Sequence, residues 1–190
     1  MRIIAGKFRG LALSLVGKGD LAAHLRPTTD RVRESIFNLL AGGRFGDPIK
    51  DARVLDLFAG TGALGLEALS RGAAHVTFVD DGAKSNALIG KNIELCKAGG
   101  QTRLLRGDAT GLGANSDAPF DLVFADPPYG SAVGELAIKA ALQGGWLTDD
   151  AVIVFEEGSV VLPPVGFRQL DQRRYGNTQV MIFTPAEVDQ

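Results

Sequence analysis

From Arg53 onward, short apolar runs alternate with helical stretches, and this alternation limits the possible architectures more than any other property of the chain. Val54–Phe58, His75–Val79, Thr102–Leu105, Phe120–Ala125 and Ala151–Phe155 read as strands. Leu64–Ser70, Ala83–Ala98 (interrupted by Gly90) and Val133–Leu142 read as helices among them. Phe167–Arg174 and Gln179–Thr184 follow with Asn177 in the turn and no space for a helix, so they form a terminal hairpin. Strands joined through helices run parallel, because each helix carries the chain back across one face of the sheet. The expectation is an α/β fold: a mostly parallel sheet of seven strands, helices on both faces, and one antiparallel edge strand. Ligands in such sheets bind beyond the carboxyl ends of the strands. The residues just after each strand are therefore where chemistry is to be sought.

The first fifty residues have a different texture. Arg2 to Val16 holds short apolar stretches broken by Gly6 and Gly10 and reads as a small hairpin or extended arm. Residues 17–27 are loop-like. Thr28-Thr29-Asp30 offers helix caps, and Val32, Ile36, Phe37, Leu39 and Leu40 recur at mostly helical spacing. The spacing predicts a helix over 30–41, stopped by Gly42-Gly43, with 44–52 as a connector. Residues 1–50 thus form an arm of hairpin plus helix, and 51–190 form the main domain.

Charge divides along the same line. Residues 1–50 carry nine Lys/Arg against four Asp/Glu, a net of +5, whereas 51–190 carry eleven against eighteen, a net of −7. A basic arm on an acidic body points towards an anionic partner, or else serves as a solubilising surface. The overall net charge of −2 argues against tight, non-specific binding to naked nucleic acid. The single cysteine, Cys96, excludes an internal disulfide. No apolar run approaches the ~18 residues of a membrane span, and the N-terminal residues do not read as a signal peptide. A cytoplasmic location is the expectation.

After the first strand comes Gly60-Thr61-Gly62-Ala63-Leu64-Gly65, a literal G-x-G-x-x-G, with Asp80 twenty residues past Gly60 at the end of the next strand. That matches the dinucleotide fingerprint and, taken alone, predicts a nicotinamide or flavin enzyme. Asp56 pulls the other way. A carboxylate on the strand before the loop repels a pyrophosphate and suits a cationic ligand. S-adenosylmethionine is such a ligand: a sulfonium nucleoside with a ribose diol and an amino-acid tail. Gly60 and Gly62 let the backbone approach the tail. An acid after the second strand can accept both ribose hydroxyls, with Asp80 in that role and Asp81 as its competitor. In Gly107-Asp108-Ala109, after the third strand, Asp108 would accept from the adenine amine and the Ala109 N–H would meet a ring nitrogen; a capping aspartate is the alternative.

Asp126-Pro127-Pro128-Tyr129, directly after the apolar strand Phe120–Ala125, is the most specific signal. Two prolines fix φ and remove two backbone donors. Two carbonyls and a carboxylate can then face one point without a competing N–H. This suits an exocyclic amine on a planar ring, whose lone pair is delocalised. Accepting its N–H groups at Asp126 and at the Pro127 carbonyl would bias the nitrogen towards a pyramidal geometry. Tyr129 would stack on the ring. Reaching such an amine in structured nucleic acid requires an unpaired or flipped-out base.

Val54-Leu55-Asp56-Leu57-Phe58-Ala59-Gly60-Thr61-Gly62 together with Asp126-Pro127-Pro128-Tyr129 resembles the class I S-adenosylmethionine-dependent methyltransferases that act on amino nitrogens. Arg2-Ile3-Ile4-Ala5-Gly6, Lys7-Phe8-Arg9-Gly10, the run from Arg26 to Asn38 and Arg174-Tyr175-Gly176 narrow this to the bacterial 16S rRNA guanine-N2 methyltransferase family (RsmD-like). The resemblance covers nearly the whole chain. It implies a Rossmann-like seven-stranded sheet and S-adenosylmethionine as donor. It also implies a guanine of 16S rRNA, within the small ribosomal subunit, as acceptor. Asp126, Pro127, Pro128 and Tyr129 would then be catalytic. Asp56, Phe58, Gly60, Gly62, Asp80, Asp108 and Ala109 would bind the cofactor. Lys7, Arg9, Arg26, Arg31 and Arg33 are the candidate RNA contacts, on an arm lying over the cofactor. In this family a glutamate is expected after the second strand, with an aspartate two residues later; here stand Asp80-Asp81-Gly82.

Other residues carry less. His24 and His75 have no ligand-spaced partners, so no metal site is expected. Cys96 reads as core, Trp146 as packing at a helix end, and Asn92 as a cap or cross-link. Glu156-Glu157 follows the fifth strand and reads as solvated charge, with one of the two lining the cleft as the alternative. A monomer is expected. Competing readings are a DNA or other RNA amino-methyltransferase with the same tetrad, a nicotinamide-dependent oxidoreductase, and a non-catalytic ribosome-assembly factor.

Overall fold

The computed structural model describes residues 1–15 and 30–186. Helix α1 (Asp30–Ala41) is followed by β1 (Arg53–Leu57), α2 (Ala63–Ser70), β2 (His75–Asp80), α3 (Ala83–Leu95), β3 (Thr102–Arg106), β4 (Phe120–Ala125), α4 (Val133–Gln143), β5 (Leu147–Glu157), β6 (Phe167–Tyr175) and β7 (Thr178–Pro185). The strands form one sheet in the order β3-β2-β1-β4-β5-β7-β6. The first five in that order are parallel, and β7 runs antiparallel to both β5 and β6. The mostly parallel seven-stranded sheet is as expected. The antiparallel strand is not at the edge, however: β7 inserts between β5 and β6, and β6 is the edge.

Alternation along β1 explains the two core layers. Val54 belongs to the layer with Ile36, Phe37, Leu40 and Leu66, whereas Leu55 and Leu57 join Val123, Ile138, Ile153 and Phe155 on the other face. In α1, Arg33, Ile36, Phe37 and Leu40 are buried at helical spacing. All eight residues of α2 are buried, its apolar residues in the core and Glu67 and Ser70 against the N-terminal arm. Gly90 does not interrupt α3, which runs unbroken to Leu95. Trp146 stacks on Phe120 with ring centroids 6.0 Å apart, and its indole N–H donates to Gly113 O at 2.9 Å.

Strand order reverses between β1 and β4, and a crevice opens at such a reversal. Leu57 is paired with Ala125, so the chain leaves β1 at Phe58 and β4 at Asp126 on the same level.

The N-terminal arm folds back on α2. Arg2 bridges Ala12 in antiparallel fashion, and Ile3 N donates to Leu11 O at 3.0 Å. Its tip reaches the carboxyl end of α2, where Lys7 N donates to Ser70 O at 2.7 Å and Phe8 N to Ser70 Oγ at 2.8 Å. Ser14 N donates to Asn92 Oδ1 at 2.7 Å, and Asn92 Nδ2 donates to Thr61 O at 2.8 Å. Asn92 is thus a buried cross-link between arm, α3 and glycine loop.

Candidate active site

The glycine loop is built on left-handed backbone. Phe58, Gly60 and Gly62 have φ of 57°, 59° and 75°. Glycine adopts this region freely, but an aromatic residue there costs on the order of 1–3 kcal/mol, which the surrounding structure must offset. β1 stops at Leu57, so Phe58 is the first residue of the turn rather than the last of the strand. Gly65 serves helix packing: a Cβ there would lie 2.5 Å from the Phe78 ring and 3.0 Å from Asp56 Oδ2.

Asp56 is buried and its Oδ2 accepts Gly65 N–H at 2.9 Å. Burial pushes its carboxyl well above the usual carboxylate range; the Gly65 bond opposes this, and the charges of Asp126 and Asp80 add to the rise. This contact bears on the fingerprint. A pyrophosphate in the dinucleotide arrangement sits on free amides at the helix N-terminus. Here the Asp56 carboxyl already takes one of them, the Gly65 N–H. That leaves one amide fewer for a pyrophosphate, and the charges of Asp80 and Asp126 lie near enough to raise the Asp56 carboxyl.

Asp80 closes the loop. Its Oδ2 accepts Gly60 N at 2.8 Å and its Oδ1 accepts Gly82 N at 2.9 Å. Its backbone carbonyl takes Gly107 N at 3.1 Å and Asn86 Nδ2 at 3.1 Å. Each carboxylate oxygen retains further lone-pair capacity for a hydroxyl donor. Asp81 is exposed. Asp108 Oδ1 accepts Thr110 N at 2.8 Å and caps the short 3-10 turn Ala109–Gly111; that bond holds its carboxyl below the usual range. Ala109 is buried beneath the exposed Asp108.

Asp126 is half-buried at the end of β4, and Pro127 is buried. The first turn of α4 lies against Pro127: a Cβ on Gly134 would be 2.7 Å from its ring and 2.6 Å from Phe155. Tyr129 is 39% exposed, which leaves ring surface for stacking. Its hydroxyl is 3.2 Å from Thr178 Oγ1, at the tip of the β6–β7 hairpin. Ser131 Oγ donates to Pro128 O. Gly130 N donates to Glu157 at 3.1 Å from Oε1 and 3.0 Å from Oε2.

The arm corrects part of the sequence reading. Arg33 is not available to RNA: it is fully buried, donates to Arg2 O and to Asp30 Oδ1, and lies 3.9 Å from Glu67 Oε2. Glu67, also fully buried, accepts Ile4 N at 2.7 Å, Ala5 N at 3.0 Å and Arg71 Nε at 2.7 Å. Helical spacing in α1 put Arg33 on the inward face with Ile36, Phe37 and Leu40, and burial there required an anionic partner. Lys7 and Arg9 are exposed at the carboxyl end of α2, away from the glycine loop. They border an open groove of about 510 Å³ that also touches Phe8, Leu95 and Lys97. Arg31 is exposed in the first turn of α1. Arg26 and His24 lie outside the described residues, as does Thr28.

Glu156 and Glu157 are likewise corrected. They belong to β5, which runs to Glu157, and both are buried. The sequence signal was available: two acids at the carboxyl end of a parallel strand stand where ligand crevices form. Among the described residues no group of three His, Cys, Asp or Glu is placed to hold a metal, and no helix is long and apolar enough to cross a membrane.

Comparison with known proteins adds a family. The model of the family described as conserved hypothetical protein 95 matches residues 1–184. Ribosomal RNA small subunit methyltransferase D of Escherichia coli is 45% identical over 157 residues, covering 82% of this chain and 74% of that protein. The protein of the same name from Haemophilus influenzae is 38% identical over 189 residues, covering 96% and 93%. The solved structure of yhhF from Escherichia coli superposes with a TM-score of 0.81 at 37% identity, covering 97% of each chain.

Proposed function

The chain belongs to the conserved hypothetical protein 95 family, and from that premise we propose that it transfers a methyl group from S-adenosylmethionine to the exocyclic N2 amine of a guanine in 16S rRNA. Relatives named ribosomal RNA small subunit methyltransferase D support the reaction and the RNA class. The observation within this chain that carries the reading is geometric: Asp80 holds the glycine loop at Gly60 and Asp56 holds Gly65, on the same level of the sheet as the turn Asp126-Pro127-Pro128-Tyr129.

S-adenosylmethionine, when bound, supplies an electrophilic methyl on a sulfonium centre. Asp56 and the glycine loop from Phe58 to Gly62 would face its cationic tail, with Gly60 and Gly62 allowing close backbone approach. Asp80 would accept the ribose hydroxyls while keeping its bonds to Gly60 and Gly82. Asp108 and the Ala109 amide would receive the adenine edge. Asp126 and the Pro127 carbonyl accept the two N–H groups of the guanine amine and turn its lone pair towards the methyl. Pro128 contributes no N–H to compete, and Tyr129 stacks on the base. Orientation of this kind is worth roughly 7–11 kcal/mol in favourable cases. The proton leaves once the nitrogen has become cationic, so no base of shifted pKa is required.

The division of labour between residues 1–50 and 51–190 belongs to the same reading. The arm contributes Lys7, Arg9 and Arg31 to the RNA, and the body carries the chemistry. The acceptor is the assembled small subunit, where ribosomal proteins supply part of the docking surface and an acidic enzyme body is tolerated. The protein acts as a cytoplasmic monomer without a metal.

The test uses radiolabelled S-adenosylmethionine with three acceptors: unmodified small subunits, free 16S rRNA and duplex DNA. The expected product is N2-methylguanosine from the subunit. Label confined to DNA, or absent from all three, would overturn the proposed acceptor.

A further inference from the structure

Glu157 is the last residue of β5 and is buried, yet no part of the reaction described above uses it. Its two oxygens take Gly130 N–H at 3.1 and 3.0 Å, and Oε1 also takes Gly158 N–H at 2.6 Å. A carboxylate removed from water is costly unless its charge is used. Here the use is specific. Pro127 and Pro128 have no N–H, so Tyr129 and Gly130 carry the first amides by which the turn after Asp126 can be gripped. Gly130 has a φ of 74°, a left-handed conformation that glycine adopts without strain.

The neighbouring residue completes the hold. A Cβ on Gly158 would lie 3.0 Å from Tyr129 Cδ2, so the bare glycine backbone is what lets the ring lie against the end of β5. Thr178 then meets the ring's hydroxyl from the other side at 3.2 Å. The dipeptide Glu157-Gly158 therefore grips the backbone after Tyr129 and receives its ring.

We propose that Glu157 is a positioning residue, which clamps the Tyr129–Gly130 turn and thereby sets where the acceptor base is held relative to Asp126. The inference rests on Asp126–Tyr129 being the acceptor site. Glu157 contacts neither base nor cofactor and acts through Gly130. Its loss should act on the methyl-transfer step, because a misplacement of about 1 Å can reduce a rate on the order of 100-fold. The cofactor pocket, built at the ends of β1, β2 and β3, should be unaffected.

The test compares Glu157→Ala, Glu157→Gln, Gly158→Ala and Asp126→Ala in single-turnover methylation of unmodified small subunits, with cofactor Kd measured alongside. Glu157→Ala should lower the transfer rate on the order of 100-fold with an unchanged cofactor Kd. Glu157→Gln keeps a carbonyl oxygen for Gly130 and should recover most of the rate. Gly158→Ala, which crowds the ring without touching the carboxylate, should also slow transfer at unchanged cofactor Kd, and it covers the case in which Glu157→Ala fails to fold. Wild-type transfer in Glu157→Ala or Gly158→Ala while Asp126→Ala is inactive would overturn the clamp and leave the acceptor site standing. A cofactor Kd that weakens in step with the rate would overturn it too, since that is the mark of general destabilisation. Retained turnover in Asp126→Ala would instead remove the acceptor reading itself.

Discussion

The Asp56 carboxylate sits 2.9 Å from the amide of Gly65, in the first turn of α2, and is buried beside the charges of Asp80 and Asp126. The helix amide stabilises its anion, but burial outweighs that bond and its carboxyl is raised well above the ordinary range. The strain of holding a charge there is relieved by a cation. Cofactor binding and the ionisation of Asp56 should therefore be linked.

This gives a pH prediction with a definite sign. A carboxyl whose folded pKa lies above its unfolded value of about 3.9 binds more protons in the native state between those two values. The apo protein should accordingly lose stability as pH rises from near 4 through the folded pKa of Asp56. Asp56→Asn removes this group. The difference in Tm between Asp56→Asn and the parent should grow in favour of the variant with rising pH, while cofactor affinity falls. An unchanged difference across pH 4 to 8 would show that Asp56 is not the group responsible.

A second prediction concerns the arm. Glu67 neutralises Arg33 inside the protein and holds the Ile4 and Ala5 amides. Arg33 Nε and Nη1 have no hydrogen-bond partner among the described residues; its guanidinium pairs with Asp30 at 3.0 Å and lies 3.9 Å from Glu67, and of the two acids Glu67 is the buried one. Glu67→Ala removes the buried counter-charge of Arg33, leaving only the half-exposed Asp30, and strips the Ile4 and Ala5 amides of their acceptor, so it should destabilise the fold by about 3 kcal/mol. Urea unfolding measures this. Limited proteolysis should find the first fifteen residues cut earlier than in the parent.

How much of this was readable beforehand depends on the kind of constraint. Alternation of strands and helices dictates the sheet; Gly60, Asp80 and Asp126 stand out because each follows or ends an apolar run near the crevice, and Asp56 because it is an acid inside one. The place of β7 was not readable, because a hairpin can add to an edge by either of its strands. Arg33 and Glu67 were missed as a pair for a related reason. Their partnership joins α1 to α2 across a distance that local periodicity does not encode, although the inward position of Arg33 among Ile36, Phe37 and Leu40 was visible. Glu157 reads more readily as solvated than as cleft-lining when the apolar run is taken to end β5 at Phe155, whereas the strand continues to Glu157.

A third prediction tests the anionic partner of the arm. Lys7 and Arg9 are exposed at the far end of α2, so they cannot act on the reacting atoms. Reversing both charges (Lys7→Glu with Arg9→Glu) should raise the KM for small subunits and leave the cofactor Kd unchanged. If both contact phosphates, the salt dependence of subunit binding should lose about one unit of slope per residue. An unaltered salt slope would assign the two cations to solvent.

The same substitution at two helical glycines should have opposite effects. In α3, a Cβ on Gly90 meets nothing within 4 Å, and the backbone is ordinary helix. Gly90→Ala restricts the unfolded chain and should stabilise by roughly 0.5–1 kcal/mol with activity intact. In α2, a Cβ on Gly65 would lie 2.5 Å from Phe78 Cε1, 2.7 Å from Val76 Cγ1 and 3.0 Å from Asp56 Oδ2. Phe78 and Val76 are fully buried on β2, so neither has space into which to retreat. The helix must lift from the sheet, and it carries the Gly65 amide away from Asp56. Overpacking of this kind costs about 1–3 kcal/mol, which exceeds the gain in helix propensity. Gly65→Ala should lower Tm and weaken cofactor binding together, while Gly90→Ala raises Tm alone. Equal Tm shifts in the two variants would mean that α2 is free to move on the sheet, and that the Asp56–Gly65 contact does not set the geometry of the loop.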